Sequence, residues 1–145
     1  MASVSRSALV HYRAEQMFEL VDAVEQYPEF LPWCSSTTVD YRDQTITRAT
    51  LNIRYRGIRQ SFSTENRKEF PQRMTIHLIE GPFRALDGEW RFSPLGDDGC
   101  KIGFRLQYEF SSILLEKIVG PVFGYIAGTM VDAFLKRADQ QYGRT

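Results

Sequence analysis

The sequence predicts an α+β fold in which a curved antiparallel sheet grips a long C-terminal helix. Three observations predict it. Between Ser35 and Phe110 apolar and polar residues alternate with period two, and turn residues divide the stretch into about six strands. Ahead of it, Ala14 to Val24 carries apolar residues at three- and four-residue spacing. Behind it, Ser111 to Tyr142 repeats apolar residues every fourth position and would span about 45 Å as a helix, enough to cover a sheet. At 145 residues, 43% apolar and 25% charged, the chain suits one core, so residues 1–145 read as one domain that needs neither metal nor disulfide for stability.

In chain order, Val4 to Val10 is a first β-rich run. The helix over Ala14 to Val24 places Met17, Phe18, Leu20, Val21 and Val24 on one side and Glu15, Glu19, Asp22 and Glu25 on the other. Tyr27-Pro28-Glu29-Phe30-Leu31-Pro32-Trp33 allows at most one apolar turn, because a proline disfavours α geometry in the residue before it. The strands follow as Thr38 to Arg42, Ile46 to Tyr55, Ile58 to Phe70, Met74 to Glu80, Phe83 to Leu95, and a last one in which Ile102, Phe104, Leu106, Tyr108 and Phe110 alternate with polar residues and Gly103. One face is dry and the other wet, so a single-sided cover is required. The cover is expected in two parts, a lead-in from Leu114 to Val119 and a main helix from Pro121, with Gly120-Pro121 as the kink. Gly120, Gly124 and Gly128 allow either close helix-to-sheet contact or a tunnel for an elongated apolar ligand.

The formal charge of zero conceals a dipole. Residues 1–40 carry two basic and six acidic groups; residues 41–79 carry eight basic groups and three acidic ones, a net of +5. Arg54, Arg56 and Arg59, about a Tyr55 to Ile58 turn, are either the wet face of a sheet or a surface for anions or RNA. Enzyme signatures are missing: there is no phosphate loop, paired-cysteine metal spacing or His-Glu-x-x-His helix. His77 reads as a satisfied strand histidine, and Cys34 and Cys100 have no histidine beside them in sequence. Asp87 and Glu89 share a face with Arg91 and read as surface ion pairs. No cofactor or catalytic residue is expected. The longest apolar runs fall short of the ~20 residues that cross a bilayer, and Met1 to Leu9 lacks a secretory apolar stretch. A cytoplasmic location is the expectation, either free or peripheral to the inner membrane. What remains is a surplus of aromatic residues, which are either core or the wall of an apolar pocket.

The stretch Tyr27 to Cys34, then Gly81-Pro82-Phe83-Arg84 with Leu86, Gly88, Trp90 and Phe92, and Gly120-Pro121-Val122-Phe123 with Met130-Val131, Ala133-Phe134 and Arg137-Ala138, resembles the coenzyme Q-binding family of START-like, polyketide-cyclase-type domains, whose bacterial branch includes the ribosome association toxins. The resemblance implies a helix-grip fold and non-enzymatic binding of ubiquinone or a similar isoprenoid, supporting respiration. In the toxin branch it implies instead binding to the large ribosomal subunit that blocks subunit association. On this reading Phe62, Phe83, Trp90, Phe104, Phe123, Ala127, Met130 and Phe134 line the cavity, and Tyr27, Phe30, Leu31 and Trp33 belong to its lid, which the Leu114 to Phe123 lead-in completes and which a membrane would contact transiently. Arg54, Arg56 and Arg59 would form the ribosome surface.

Overall fold

The computed structural model describes residues 1–143. Seven strands form one antiparallel sheet: β1 (Ala2–Val10), β2 (Cys34–Arg42), β3 (Ile46–Tyr55), β4 (Ile58–Glu69), β5 (Arg73–Glu80), β6 (Phe83–Leu95) and β7 (Gly99–Phe110), in the order β1-β7-β6-β5-β4-β3-β2. Helix α1 (Ala14–Asp22) and a 3-10 turn (Val24–Glu29) carry the chain from one edge of this sheet to the other. Helix α2 (Ile113–Tyr142) then lies across the concave face, packed on β1, β7 and α1. This is the helix-grip arrangement.

Alternation builds the grip. Along β7 the residues Cys100, Ile102, Phe104, Leu106, Tyr108 and Phe110 are all buried, while Lys101, Arg105 and Gln107 between them are exposed. Register shifts at Cys34/Ser36, Val39/Tyr41, Ser63/Thr64 and Phe83/Ala85 bend the strands around the helix. Arg56 and Gly57 both have positive φ, which gives a tight β3–β4 hairpin the twist of its strands. Gly81, between β5 and β6, has φ +155°, and a Cβ there would come within 2.6 Å of the Cβ of Phe62.

Three expectations change, and the alternative left open at the glycine stripe is decided for close packing. Helix α1 stops at Asp22, and Val24 to Glu29 forms a 3-10 helix holding Pro28, so the apolar turn is longer than one turn. Helix α2 runs unbroken through Gly120-Pro121. Pro121 removes one donor, but it and Lys117, whose carbonyl loses that bond, are both on the exposed side of the helix, while Val119 and Phe123 hold the inner face in the core. Glycines 120, 124 and 128 do not form a tunnel: an added Cβ would touch Phe110, the Tyr108 hydroxyl and Arg6 at ordinary distances, so this stripe faces β7 and β1. Finally, α2 does have the length and mean hydropathy, 1.6 over 18 residues, of a membrane span. Its inner residues Val119, Phe123, Ile126, Ala127, Val131, Phe134 and Ala138 are buried against the fold, whereas Ile113, Leu114 and Ile118 in its first turns are exposed.

Candidate functional site

Between α2 and the sheet lies an internal cavity of about 70 Å³. Helix α2 contributes Phe123, Ile126, Ala127 and Met130; the strands contribute Leu51, Phe62, Thr64, Asn66, Ile76, Leu86, Trp90, Phe104 and Leu106; the 3-10 turn and the residues after it contribute Val24, Tyr27 and Trp33. Eight of the residues expected at the site are thus brought together: Tyr27, Trp33, Phe62, Trp90, Phe104, Phe123, Ala127 and Met130. A space of this size holds about two waters, and it is roughly half of the ~150 Å³ that holds a benzene molecule. A substituted ring therefore fits only when the walls separate.

The other four expected residues do not reach the wall. Phe134 is fully buried behind it, with its ring centroid 5.3 Å from Trp90 and 5.4 Å from Tyr27. Phe83 belongs to an aromatic cluster with Phe62, Tyr108, Phe110 and Phe123, one layer further along the helix. Leu31 is buried under the turn, and Phe30 faces an outer groove along with Tyr55, Tyr125, Ala133 and Arg137. Aromatic count was the guide in the sequence, and it missed Val24, Leu51, Thr64, Asn66, Ile76, Leu86, Leu106 and Ile126. Strand periodicity could have found Thr64 and Asn66, which stand two and four residues after Phe62 on the same face of β4.

Polar chemistry at the cavity is sparse. Among the described residues Tyr27 is its only titratable lining residue; burial raises the phenol, and the hydroxyl donates to the Val21 carbonyl. Thr64 Oγ1 donates to Asn66 Oδ1 at 3.1 Å, both residues being buried. Beyond them on the inner face, Lys68 Nζ donates to Asp22 Oδ2 at 3.1 Å and Thr47 Oγ1 to Asp22 Oδ1 at 2.9 Å, which closes this end of the sheet with a half-buried ion pair. Cys34 and Cys100 are buried and free; burial pushes the Cys34 thiol up to about 11, where it is no nucleophile at neutral pH. His77 bonds the Thr75 hydroxyl at 3.0 Å.

Trp33 separates the cavity from the outer groove, since it lines both. The turn that carries it is fastened to α2 by Arg137, whose Nη2 donates to Glu29 at 2.8 Å and Gln26 at 3.3 Å, and whose guanidinium lies 5.0 Å from the centre of the Phe30 ring. Arg137 Nε is buried without a partner among the described residues, so the fastening leaves one donor unsatisfied.

On the opposite, convex face, charges divide into two groups. Of the eight basic residues in 41–79, Arg42, Arg48, Arg67 and Arg73 each have a carboxylate partner, as does Lys68 on the inner face. Arg54, Arg56 and Arg59 have none among the described residues. Arg54 and Arg59 stand directly opposite each other across β3 and β4, both exposed, beside a shallow concavity shared with Ser35, Ser36, Asn52, Gln60 and Ser61. Arg56 is set apart, lying over the stacked rings of Tyr55 and Tyr125 at 5.0 and 4.9 Å. Elsewhere on this face Glu89 is buried beneath Arg73, Arg91 and Arg105; burial alone would raise its carboxyl, but the three arginines outweigh it and hold the group down at about 2.

The sequence matches the polyketide cyclase / dehydrase and lipid transport family over residues 10–135. A Vibrio cholerae protein named ribosome association toxin RatA is 43% identical over 143 residues, 99% of each chain. A Xenopus laevis protein named coenzyme Q-binding protein COQ10 homolog B, mitochondrial, is 30% identical over 97% of this chain, which spans 59% of that longer relative. Among solved structures, the Zhui aromatase/cyclase from Streptomyces sp. R1128 superposes with a TM-score of 0.85 over 97% of this chain and 94% of its own, at 13% identity, a likeness of fold alone.

Proposed function

The chain belongs to the polyketide cyclase / dehydrase and lipid transport family, and we propose that it binds, without catalysis, an apolar isoprenoid ligand such as ubiquinone between the sheet and α2, in support of respiration. The observation that carries this reading is the aromatic-walled cavity between sheet and helix, whose one titratable lining residue among those described already has its hydroxyl committed to a backbone carbonyl. The name of the Xenopus relative, a coenzyme Q-binding protein homolog, supports the ligand class. Because the closed cavity is smaller than a ring, uptake proceeds by release of the turn at Arg137 and displacement of Trp33, which opens the cavity to the groove between the turn and α2. Native mass spectrometry of protein purified from its own host, followed by lipid extraction, tests the reading: a bound isoprenoid quinone supports it, and lipid-free protein that also fails to take up added ubiquinone refutes it.

A second reading rests on a different surface. Three arginines without carboxylate partners, two of them paired across strands beside hydroxyl and amide donors, suit the phosphates of RNA, and relatives 39–43% identical over nearly the whole chain are named ribosome association toxins. In this reading the convex face binds the large ribosomal subunit in the cytoplasm and blocks subunit association. Cosedimentation with purified subunits at rising salt tests it. Lipid capture and ribosome binding use opposite faces of the sheet, so one protein can do both.

A further inference from the structure

The cavity wall holds one side-chain amide, that of Asn66, with an unused donor among the described residues. Thr64 fixes the Asn66 amide by donating to Oδ1, and the amide nitrogen, Nδ2, donates to nothing among the described residues. Its cross-strand neighbours do not take it. Thr47, directly opposite on β3, has its hydroxyl on Asp22, and Ile76, opposite on β5, is apolar. An amide donor on a largely apolar wall is costly to desolvate unless something accepts from it. Neither hydroxyl on the wall takes it, since Thr64 donates to its Oδ1 and Tyr27 donates to the Val21 carbonyl, while the indole N–H groups of Trp33 and Trp90 are donors only.

We infer that Asn66 is the recognition group for a carbonyl oxygen on the ligand, so that the site selects apolar rings bearing a hydrogen-bond acceptor, the class of quinones and cyclic ketones, over hydrocarbons of the same shape. This rests on the cavity being the ligand site. The division of labour follows from position: the aromatic walls gain from any apolar body, whereas Asn66 Nδ2 is satisfied only by an acceptor. Sites that carry a buried hydrogen-bonding group discriminate most strongly against analogues that leave it unpaired. Thr64 is a positioning residue, because its hydroxyl decides which end of the amide faces inward.

The test uses two probes and calorimetric titration: ubiquinone with a single isoprene unit, and prenyltoluene, which keeps an apolar ring and tail without a carbonyl. The wild-type protein is expected to bind the quinone at least tenfold more tightly. Asn66→Leu should abolish that preference while leaving prenyltoluene affinity unchanged or improved, and Thr64→Val should reduce the preference in part. In the wild-type protein the side-chain amide resonances of Asn66 should shift with the quinone and not with the hydrocarbon, a readout that stands even where the variant fails to fold. Equal quinone binding by wild type and Asn66→Leu, or unmoved Asn66 amide resonances at quinone saturation, overturns the inference while the cavity reading survives. If the wild-type protein binds neither probe, the cavity reading itself fails and this inference with it.

Discussion

Filling the cavity from the helix side is the most direct perturbation of the ligand reading. Ala127 is 1% exposed and stands on the wall between Phe123 and Met130. Ala127→Leu adds three carbons, each roughly the ~30 Å³ that a water occupies in the liquid, so the added volume slightly exceeds the 70 Å³ available. Burying three carbons contributes about 2.4 kcal/mol at ~0.8 kcal/mol each, and mild overpacking costs about 1–3 kcal/mol. The two nearly cancel. The net change, between about −0.6 and +1.4 kcal/mol, corresponds to a midpoint shift of at most about 6 °C for a chain of this size. Binding should suffer far more, since a ring must now displace the leucine as well as separate the walls; a tenfold loss, about 1.4 kcal/mol, is the least expected. The assay is intrinsic fluorescence: the chain has two tryptophans, Trp33 and Trp90, and both line the cavity, so a quinone held there quenches the whole signal. A folded Ala127→Leu protein, unchanged in thermal midpoint and quenched with wild-type affinity, would show that the ring sits elsewhere.

Replacing Arg54 and Arg59 together with glutamate should abolish cosedimentation with ribosomal subunits and leave quinone quenching intact; loss of quenching with retained cosedimentation would reverse the assignment of the two surfaces. Arg137→Ala frees the 3-10 turn, so amide exchange should accelerate over Val24 to Trp33 while the Phe104 to Phe110 strand stays protected, and uniform protection would sink the gating account. Glu89 has a folded carboxyl held at about 2 against an ordinary 4.5, so it contributes stability above pH 4.5 that is lost as pH falls toward 2. With Arg91 and Arg105 more than half exposed and screened by solvent, the effect is on the order of 2 kcal/mol. Glu89→Gln should be less stable at neutral pH and lack that acid limb in urea titrations, and a variant matching wild type from pH 7 to pH 2 would refute the cluster's role.

What the sequence determined by itself is what short-range physics controls. Alternation from Ser35 to Phe110 and the turns at Arg56-Gly57 and Gly81-Pro82 place the strand boundaries within a few residues, because side-chain period and positive-φ positions are local properties. Leu114 and Phe134 stand five four-residue steps apart, a drift of about 200° at ~40° per step on a straight helix, and one is 67% exposed, the other fully buried. The family, and with it the helix-grip layout, was legible in three motifs. Only the tertiary structure decided which atoms meet. That β1 closes against β7, that the glycine stripe of α2 faces this edge instead of the cavity, and that Pro121 sits on the wet side of an unbroken helix all depend on how the helix rotates on the sheet, which no local pattern encodes. The same holds for the arginines. All eight basic residues of the middle segment look alike in the sequence, and only cross-strand register, pairing Arg48 with Glu65 and Arg54 with Arg59, separates those neutralised from those left free. Asn66 and Thr64 were overlooked for a related reason: a polar side chain on an inward strand face acquires meaning only when the opposite wall is known to lack a partner for it.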